Sequence, residues 1–380
     1  MLLRFNNLTA ARFVAALLVF FHHSSPLEYE AMTNPFWKNF ANNGHVGVSF
    51  FFILSGFVLA ASNLDKLGRM SFSGTLSFYW KRIARIVPLW LVVSAPFILK
   101  AIQTDDPNLV PFLTFTQAWS SDVFVSFGLL AVAWTLSVEI FFYLTFPFIA
   151  AALRPFKGRA LGPILTLLGL MIPAGGALYY WLNPDMAALF FPDPNSSHRW
   201  LYRFPVARLG EFIAGIGVFL TIARCNLPMG RVSSTIGLVA STIALLMVMG
   251  TMEKTNTMWI IPYAVIFTIM VLMLAQMEKL DLRVTWKLPI LLGEASFAFY
   301  LIHQFYFKAA LLPPLTQFSG LAVAQVEVLL AAIATSVGLH LLIEGPARDV
   351  LLRVLHIRST MPKVAVTEAV PGEPQPKPAL

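Results

Sequence analysis

Arg12 and His23 are eleven positions apart in the apolar stretch "LTAARFVAALLVFFHHSSP". Eleven steps of about 100° bring a helix back to nearly the same face, ~16 Å further along its axis. One face would then show a cation at one end and a titratable imidazole at the other, with His22 one position out of register. Arg82 and Arg85 in "FYWKRIARIVPLW" sit one helical turn apart just before Pro88, and guanidinium forks suit phosphate oxygens. Glu139 in "WTLSVEIFFYLTFP" lies inside an apolar run beside Trp134, Ser137 and Tyr143, where a carboxylate needs a cationic partner or a proton. Arg208 and Glu211 in "ARLGEFIAGIG" have the i, i+3 spacing of a helical ion pair, and "GEASFAFYLIHQ" adds Glu294, Ser296, Tyr300 and His303 along one helix. Each group also has a bland account: snorkelling for Arg12, interfacial placement for His23, anchoring for Arg82 and Arg85, a structural buried pair for Glu139.

The elements that must position these residues follow from composition. Of 380 residues, 57% are hydrophobic and 12% charged, and the mean hydropathy is +0.72; a soluble domain carries about 25% charged residues. The apolar residues fall in separate blocks of about 20, each long enough for a hydrocarbon core of ~30 Å. They lie near residues 8–25, 45–62, 84–101, 128–152, 161–182, 205–223, 234–251, 257–276, 289–312 and 321–344. The expected fold class is all-α, a polytopic membrane protein of about ten transmembrane helices, with the bilayer as a partner. Arg4 ahead of the first block imitates a signal peptide, but the block is read as a retained first span.

The net charge of +8 is spread loop by loop rather than along one patch, which favours topology over nucleic-acid binding. With the N-terminus inside, Arg4, then Lys66, Arg69, Lys81, Arg82 and Arg85, then Arg154, Lys157 and Arg159, then Arg224 and Arg231, then Lys279, Arg283 and Lys287 fall on the cytoplasmic side. Lys38, Lys100, Arg199, Arg203, Arg208, Lys254 and Lys308 then lie outside together with Glu28, Glu30, Asp105, Asp106, Asp122, Asp185 and Asp193, and both termini are expected in the cytoplasm. Cys225 is the single cysteine, so an internal disulfide framework and a multi-cysteine metal site are excluded, and no metal is expected. Residues 1–348 read as the transmembrane domain and 349–380, proline-rich towards the end, as a disordered cytoplasmic tail. No internal repeat supports a transporter of two related halves, and no GxSxG, HExxH or GxxxxGK[ST] motif supports hydrolase, metalloprotease or P-loop chemistry.

Taken in order, these motifs make the chain resemble acyltransferase family 3, integral membrane proteins that move acyl groups from coenzyme A thioesters to hydroxyls of sugars and related acceptors. The family's signature on its first helix is a basic residue, ten residues of any type, then histidine, which picks out Arg12 and His23. The block from Gly44 to Phe57 with "FFILSGF", Arg82 to Pro88, Trp134 to Pro147, Arg208 to Gly215, and Gly293 to His303 match as well, followed by Glu344, Pro346 and Arg348. Phe297 stands where the family often has tyrosine.

The resemblance implies an O-acyltransferase, most plausibly an O-acetyltransferase, with acyl-coenzyme A as donor co-substrate and a cell-surface or exported carbohydrate as acceptor, in a bacterial inner membrane. His23 is the candidate base, and Arg12, Arg82 and Arg85 would hold the donor's phosphates. Glu139 would orient His23 or another polar partner, while Arg208, Glu211, Trp134, Ser137, Tyr300 and His303 would serve the acceptor. Direct transfer and an acyl-histidine intermediate both remain open. A transporter or flippase for an acylated or sugar-bearing solute is the rival reading, and a structural subunit of polysaccharide export a third.

Overall fold

A chain in lipid must satisfy its own backbone polar groups, so apolar blocks of this length become helices unless they close into a barrel. In a computed structural model, residues 5–24, 34–68, 71–187, 189, 192–252, 260–308 and 321–354 are described, with no strand among them. The long helices are α1 (Asn6–Ser24), α2 (Gly47–Leu67), α3 (Phe72–Gln103), α4 (Trp134–Leu153), α5 (Leu161–Leu182), α6 (Pro205–Arg224), α7 (Arg231–Thr251) and α8 (Ile260–Lys279). They continue with α9 (Lys287–Glu294), α10 (Ser296–Lys308), α11 (Leu321–Leu339) and α12 (Gly345–Val354). Eight helical segments among the described residues are long and apolar enough to cross a membrane, and α9 with α10, bent by 66°, make a ninth. α1 is the tenth. Arg12, His22 and His23 lower its hydropathy, yet α2, α8, α9 and α10 pack around it, so its polar residues can face protein instead of lipid.

The start of α1 is fastened to the end of α8 and the segment that follows it. The Asn7 amide donates to the Glu278 carboxylate at 2.5 Å, and the Asn7 side chain donates to the Leu282 carbonyl at 2.8 Å and accepts from the Val284 amide at 2.7 Å. Beside this clamp α9 touches α1 backbone to backbone: a Cβ on Gly293 would stand 1.9 Å from the Thr9 carbonyl oxygen. α2 and α6 cross in the same way, because a Cβ on Gly56 would meet the Phe212 carbonyl oxygen at 1.9 Å and one on Gly215 that of Ile53 at 1.9 Å. Small residues allow such approach where lipid gives helices no hydrophobic reason to associate. Gly215→Ala is therefore expected to cost about 1–3 kcal/mol through overpacking, read as a lower melting temperature of the purified protein in detergent; an unchanged melting temperature would refute the tight crossing.

Three elements differ from the sequence expectation. α3 starts at Phe72 instead of 84, with the Ser71 hydroxyl accepting from the Gly74 amide at 3.1 Å. The helix runs straight through Lys81, Arg82 and Arg85, so the two arginines stand well inside it, Arg82 ~15 Å from its first residue, rather than at its mouth. The expected single span 289–312 breaks at Ala295, between α9 and α10. After α11 the chain makes a π-helical turn, His340–Glu344, and continues as α12 to Val354, which takes residues 349–354 out of the expected disordered tail. The rest of that tail, 355–380, lies outside the described residues, as do Arg4, Glu28, Glu30 and Arg69.

Candidate active site

α1, α2, α3, α4 and α10 enclose a cavity of about 360 Å³. Its polar wall is built from Arg12 on α1, Arg82 and Arg85 on α3, and Glu139 and Tyr143 on α4; its apolar walls include Val48, Phe51, Phe52 and Leu136. Three arginines against one glutamate among these lining residues leave a formal charge of +2, which suits an anionic ligand. The Tyr143 hydroxyl donates to the Glu139 carboxylate, and the Arg82 guanidinium lies over the Phe78 and Tyr143 rings at 5.7 and 5.9 Å. Glu344, on the π-turn, is within electrostatic reach of Arg12 and Arg85. Glu139 thus sits among Tyr143 and the arginines.

The cavity reaches Thr135 and Tyr300 at its other end. Tyr300 donates its hydroxyl to the Val132 carbonyl at 3.4 Å. One turn further along α10, ~4.5 Å by helical rise, the fully buried His303 meets the first helix, with its Nε2 3.2 Å from Nδ1 of His23. His23 Nδ1 is also 2.9 Å from the Val19 carbonyl oxygen, and His303 Nδ1 is 2.7 Å from that of Tyr300. The ring of His22 lies 5.1 Å from that of His45, which lies 5.2 Å from that of Tyr202. Arg12 and His23 thus occupy different levels: the arginine lines the cavity, and the imidazole belongs to a layer of histidines beyond its far end.

Beside Tyr202, whose ring centroid lies 5.6 Å from the Arg208 guanidinium, Arg208 and Glu211 pair at 3.0 Å, each 1% exposed. Arg208 also donates to the Ser49 hydroxyl at 3.0 Å and lies over the Phe52 ring at 4.9 Å. Trp134 is buried with its ring 4.9 Å from that of Tyr202. Ser137 accepts from the Ala118 amide at 3.3 Å, which anchors the segment Gln117–Trp119 and keeps this hydroxyl away from the cavity lining. In the segment before α6, Arg199 donates to the Trp119 carbonyl at 2.7 Å and Arg203 to the Ser126 hydroxyl. Burial, reinforced by the neighbouring Arg199 charge, pushes Arg203 down to about 10. Among the described residues no group of three or more His, Cys, Asp or Glu is placed to hold a metal ion.

Sequence reasoning missed His45, Tyr202 and Thr135. His45 had one available signal, its place between Gly44 and Gly47 in the block "GHVGVSFFF". Thr135 lies inside the quoted stretch "WTLSVEIFFYLTFP", while Tyr202 had no signal, because its ring neighbours His45 and Trp134 come from distant parts of the chain.

A family model described as "Acyltransferase domain" matches residues 5–343. The chain is similar to "Acyltransferase MdmB" of Streptomyces mycarofaciens, 29% identical over 96% of this chain and 97% of that protein. It is also similar to "Exopolysaccharide production protein ExoZ" of Rhizobium meliloti, 26% identical over 80% and 89% of the two chains. A third relative is "Putative peptidoglycan O-acetyltransferase YrhL" of Bacillus subtilis, 25% identical over 43% of this chain and 28% of that protein. No solved structure matches the chain.

Proposed function

The chain belongs to the acyltransferase family whose model it matches over residues 5–343, and from that premise we propose that it moves a short acyl group, acetyl, from acyl-coenzyme A to a hydroxyl of a cell-surface or exported carbohydrate. The observation that carries this reading is the cavity, with three arginines at one end and its other end one helical turn from the His23 layer. Its about 360 Å³ falls within the usual range of small-molecule sites, roughly 300–1,000 Å³. It suits a pantetheine arm with a small acyl group and the pyrophosphate at the arm's end, the adenosine staying outside. The ~16 Å from Arg12 to His23 along α1 is comparable with that arm extended. The printed names of two relatives, one a peptidoglycan O-acetyltransferase and one an exopolysaccharide production protein, support a carbohydrate acceptor.

In this mechanism the arginines hold the donor's phosphates from the cytoplasmic side, with both chain termini on that side, in the inner membrane of a bacterium. His23 takes the acceptor's hydroxyl proton as the oxygen attacks the thioester carbonyl. The carbon–sulfur bond breaks, and the imidazolium returns the proton to the departing sulfur, so acyl ester and free coenzyme A are the products. Inside-out membrane vesicles loaded with the host's surface polysaccharide and given radiolabelled acetyl-coenzyme A from outside test it. Arg85→Gln removes charge-assisted hydrogen bonds worth about 1.5–3 kcal/mol each. The expected result is a KM for acetyl-coenzyme A raised roughly 10- to 100-fold, with kcat changed much less. A KM equal to wild type would take the arginines out of donor binding. Arg82→Gln is the parallel case.

A further inference from the structure

We propose that Arg199 and Arg203 form a subsite for an anionic group of the acceptor, which makes the acceptor an acidic saccharide carrying a carboxylate or a phosphate. The subsite rests on the reading of the chain as a carbohydrate acyltransferase and names its substrate class. Both arginines stand on the π-helical turn His198–Arg203 ahead of α6, four positions apart, and they are only 5% and 0% exposed. Each uses one nitrogen on the facing segment: Arg199 Nη2 donates to the Trp119 carbonyl at 2.7 Å and Arg203 Nη1 to the Ser126 hydroxyl. Nε and Nη1 of Arg199, and Nε and Nη2 of Arg203, are buried without a hydrogen-bond partner. None of the ion pairs among the described residues includes either arginine. Asp122, the carboxylate whose charge reaches Arg203, is exposed and accepts from the Phe124 amide at 2.7 Å.

Two neighbouring guanidiniums repel each other, and burying them without a counter-charge is costly. An anion relieves both costs, and two planar forks with four unpartnered nitrogens match the oxygens of a carboxylate or phosphate. The aromatic surroundings favour a sugar as the carrier of that anion. The Arg199 guanidinium lies against the rings of Trp200 and Phe204 at 4.8 and 4.9 Å, and Trp119 packs on Phe204 at 5.4 Å. Trp119 and Trp200 are 39% and 42% exposed, so indole surface is offered beside the charged forks, suited to a ring that is apolar on one face and polar at its edge. Turning the Trp200 side chain uncovers the Arg199 nitrogens. The same π-helical turn leads to the chemistry: Tyr202, adjacent to Arg203 in the chain, has its ring 5.2 Å from that of His45, which is 5.1 Å from that of His22. A saccharide held at the arginines therefore lies beside the histidine layer, at the opposite end of the cavity from Arg12, Arg82 and Arg85.

The test gives full-length protein in detergent acetyl-coenzyme A and the host's surface polysaccharide in three forms: intact, with its carboxylates reduced to alcohols, and with its phosphates removed. For wild type, one of the two neutralised forms is expected to raise the acceptor KM roughly 10- to 100-fold, the worth of charge-assisted hydrogen bonds. Arg203→Gln should raise KM for the intact polymer by a similar factor and treat intact and neutralised polymer alike, with KM for acetyl-coenzyme A within about twofold of wild type. Arg199→Gln is the parallel case, and Arg203→Lys, which keeps the charge without the fork, should recover part of the loss. A KM that stays at the wild-type value while the amount of folded protein falls would make the arginines braces of the segment 117–126 and overturn the subsite. A lipid phosphate is the rival occupant: if Arg203→Gln lowers binding of phosphatidylglycerol in mixed micelles and leaves the acceptor KM unchanged, the subsite serves lipid and the proposal fails. Wild-type transfer with equal KM on charged and both neutralised polymers overturns the subsite alone, whereas no wild-type transfer to any polymer overturns the carbohydrate reading and the subsite with it.

Discussion

Replacing His23 by alanine is expected to lower acyl transfer by about 10²- to 10⁴-fold, the usual contribution of general acid–base catalysis. The protein should remain in the membrane in near-normal amount, because His23 is only partly buried and the α1 packing against α9 and α10 runs through Gly293, Phe20 and Phe299. Donor binding should also survive, since the arginines of the cavity lie at a different level from the imidazole. The informative result is therefore a split: KM for acetyl-coenzyme A close to wild type, with kcat collapsed. Label transfer undiminished in the variant would remove His23 from the chemistry. A kcat loss matched by an equal loss of folded protein would make the residue structural.

The second large effect concerns stability. Arg208 and Glu211 are each 1% exposed and paired at 3.0 Å. Breaking a buried pair by removing one partner typically costs 3–5 kcal/mol, because the other charge is left uncompensated in a low-dielectric interior. Arg208→Met should accordingly lose most of its folded population, read as a large drop in melting temperature in detergent. The double variant Arg208→Met with Glu211→Leu should recover much of that loss, since replacing both charges by apolar groups of similar volume is often near neutral. A loss in the double variant equal to the sum of the losses in Arg208→Met and Glu211→Leu alone would mean that the two residues are not energetically coupled. The contact of Arg208 with Ser49 at 3.0 Å joins α6 to α2, so the stability loss should coincide with loss of the α2–α6 crossing at Gly56 and Gly215.

Much of the architecture was legible because span-length apolar blocks carry a strong signal. The stretches read at 161–182 and 205–223 became α5 and α6, Leu161–Leu182 and Pro205–Arg224. The misplaced start of α3 has a physical cause: hydropathy measures the cost of facing lipid, whereas a helix that faces protein can carry charge. That is why α3 extends back to Phe72 through Lys81, Arg82 and Arg85, and why α1 holds Arg12. The break at Ala295 has no proline to announce it. It lies beside Gly293, whose contact with the Thr9 carbonyl cannot be read from local sequence. In the site, the i, i+3 spacing gave the Arg208–Glu211 pair, and the helical period put Arg12 and His23 on one face. The juxtaposition of His23 with His303 spans 280 residues, a distance over which periodicity says nothing.

The clamp at the start of α1 ties the order of synthesis to the onset of activity. Asn6 and Asn7 are held by residues 278–284 through hydrogen bonds that span 271 to 278 positions, and Thr9 is covered by Gly293. A ribosome adding about 5–20 residues per second emits Arg12 and His23 tens of seconds before the helices that complete their surroundings. Throughout that interval the nascent chain carries its arginine and its imidazole without the α10 residues Ser296, Phe297 and Tyr300 that line the cavity. Insertion of α9 and α10 then closes the cavity and delivers His303 to His23 in one event, so competence arrives late and all at once, after the growing chain has committed nearly all its helices to the bilayer.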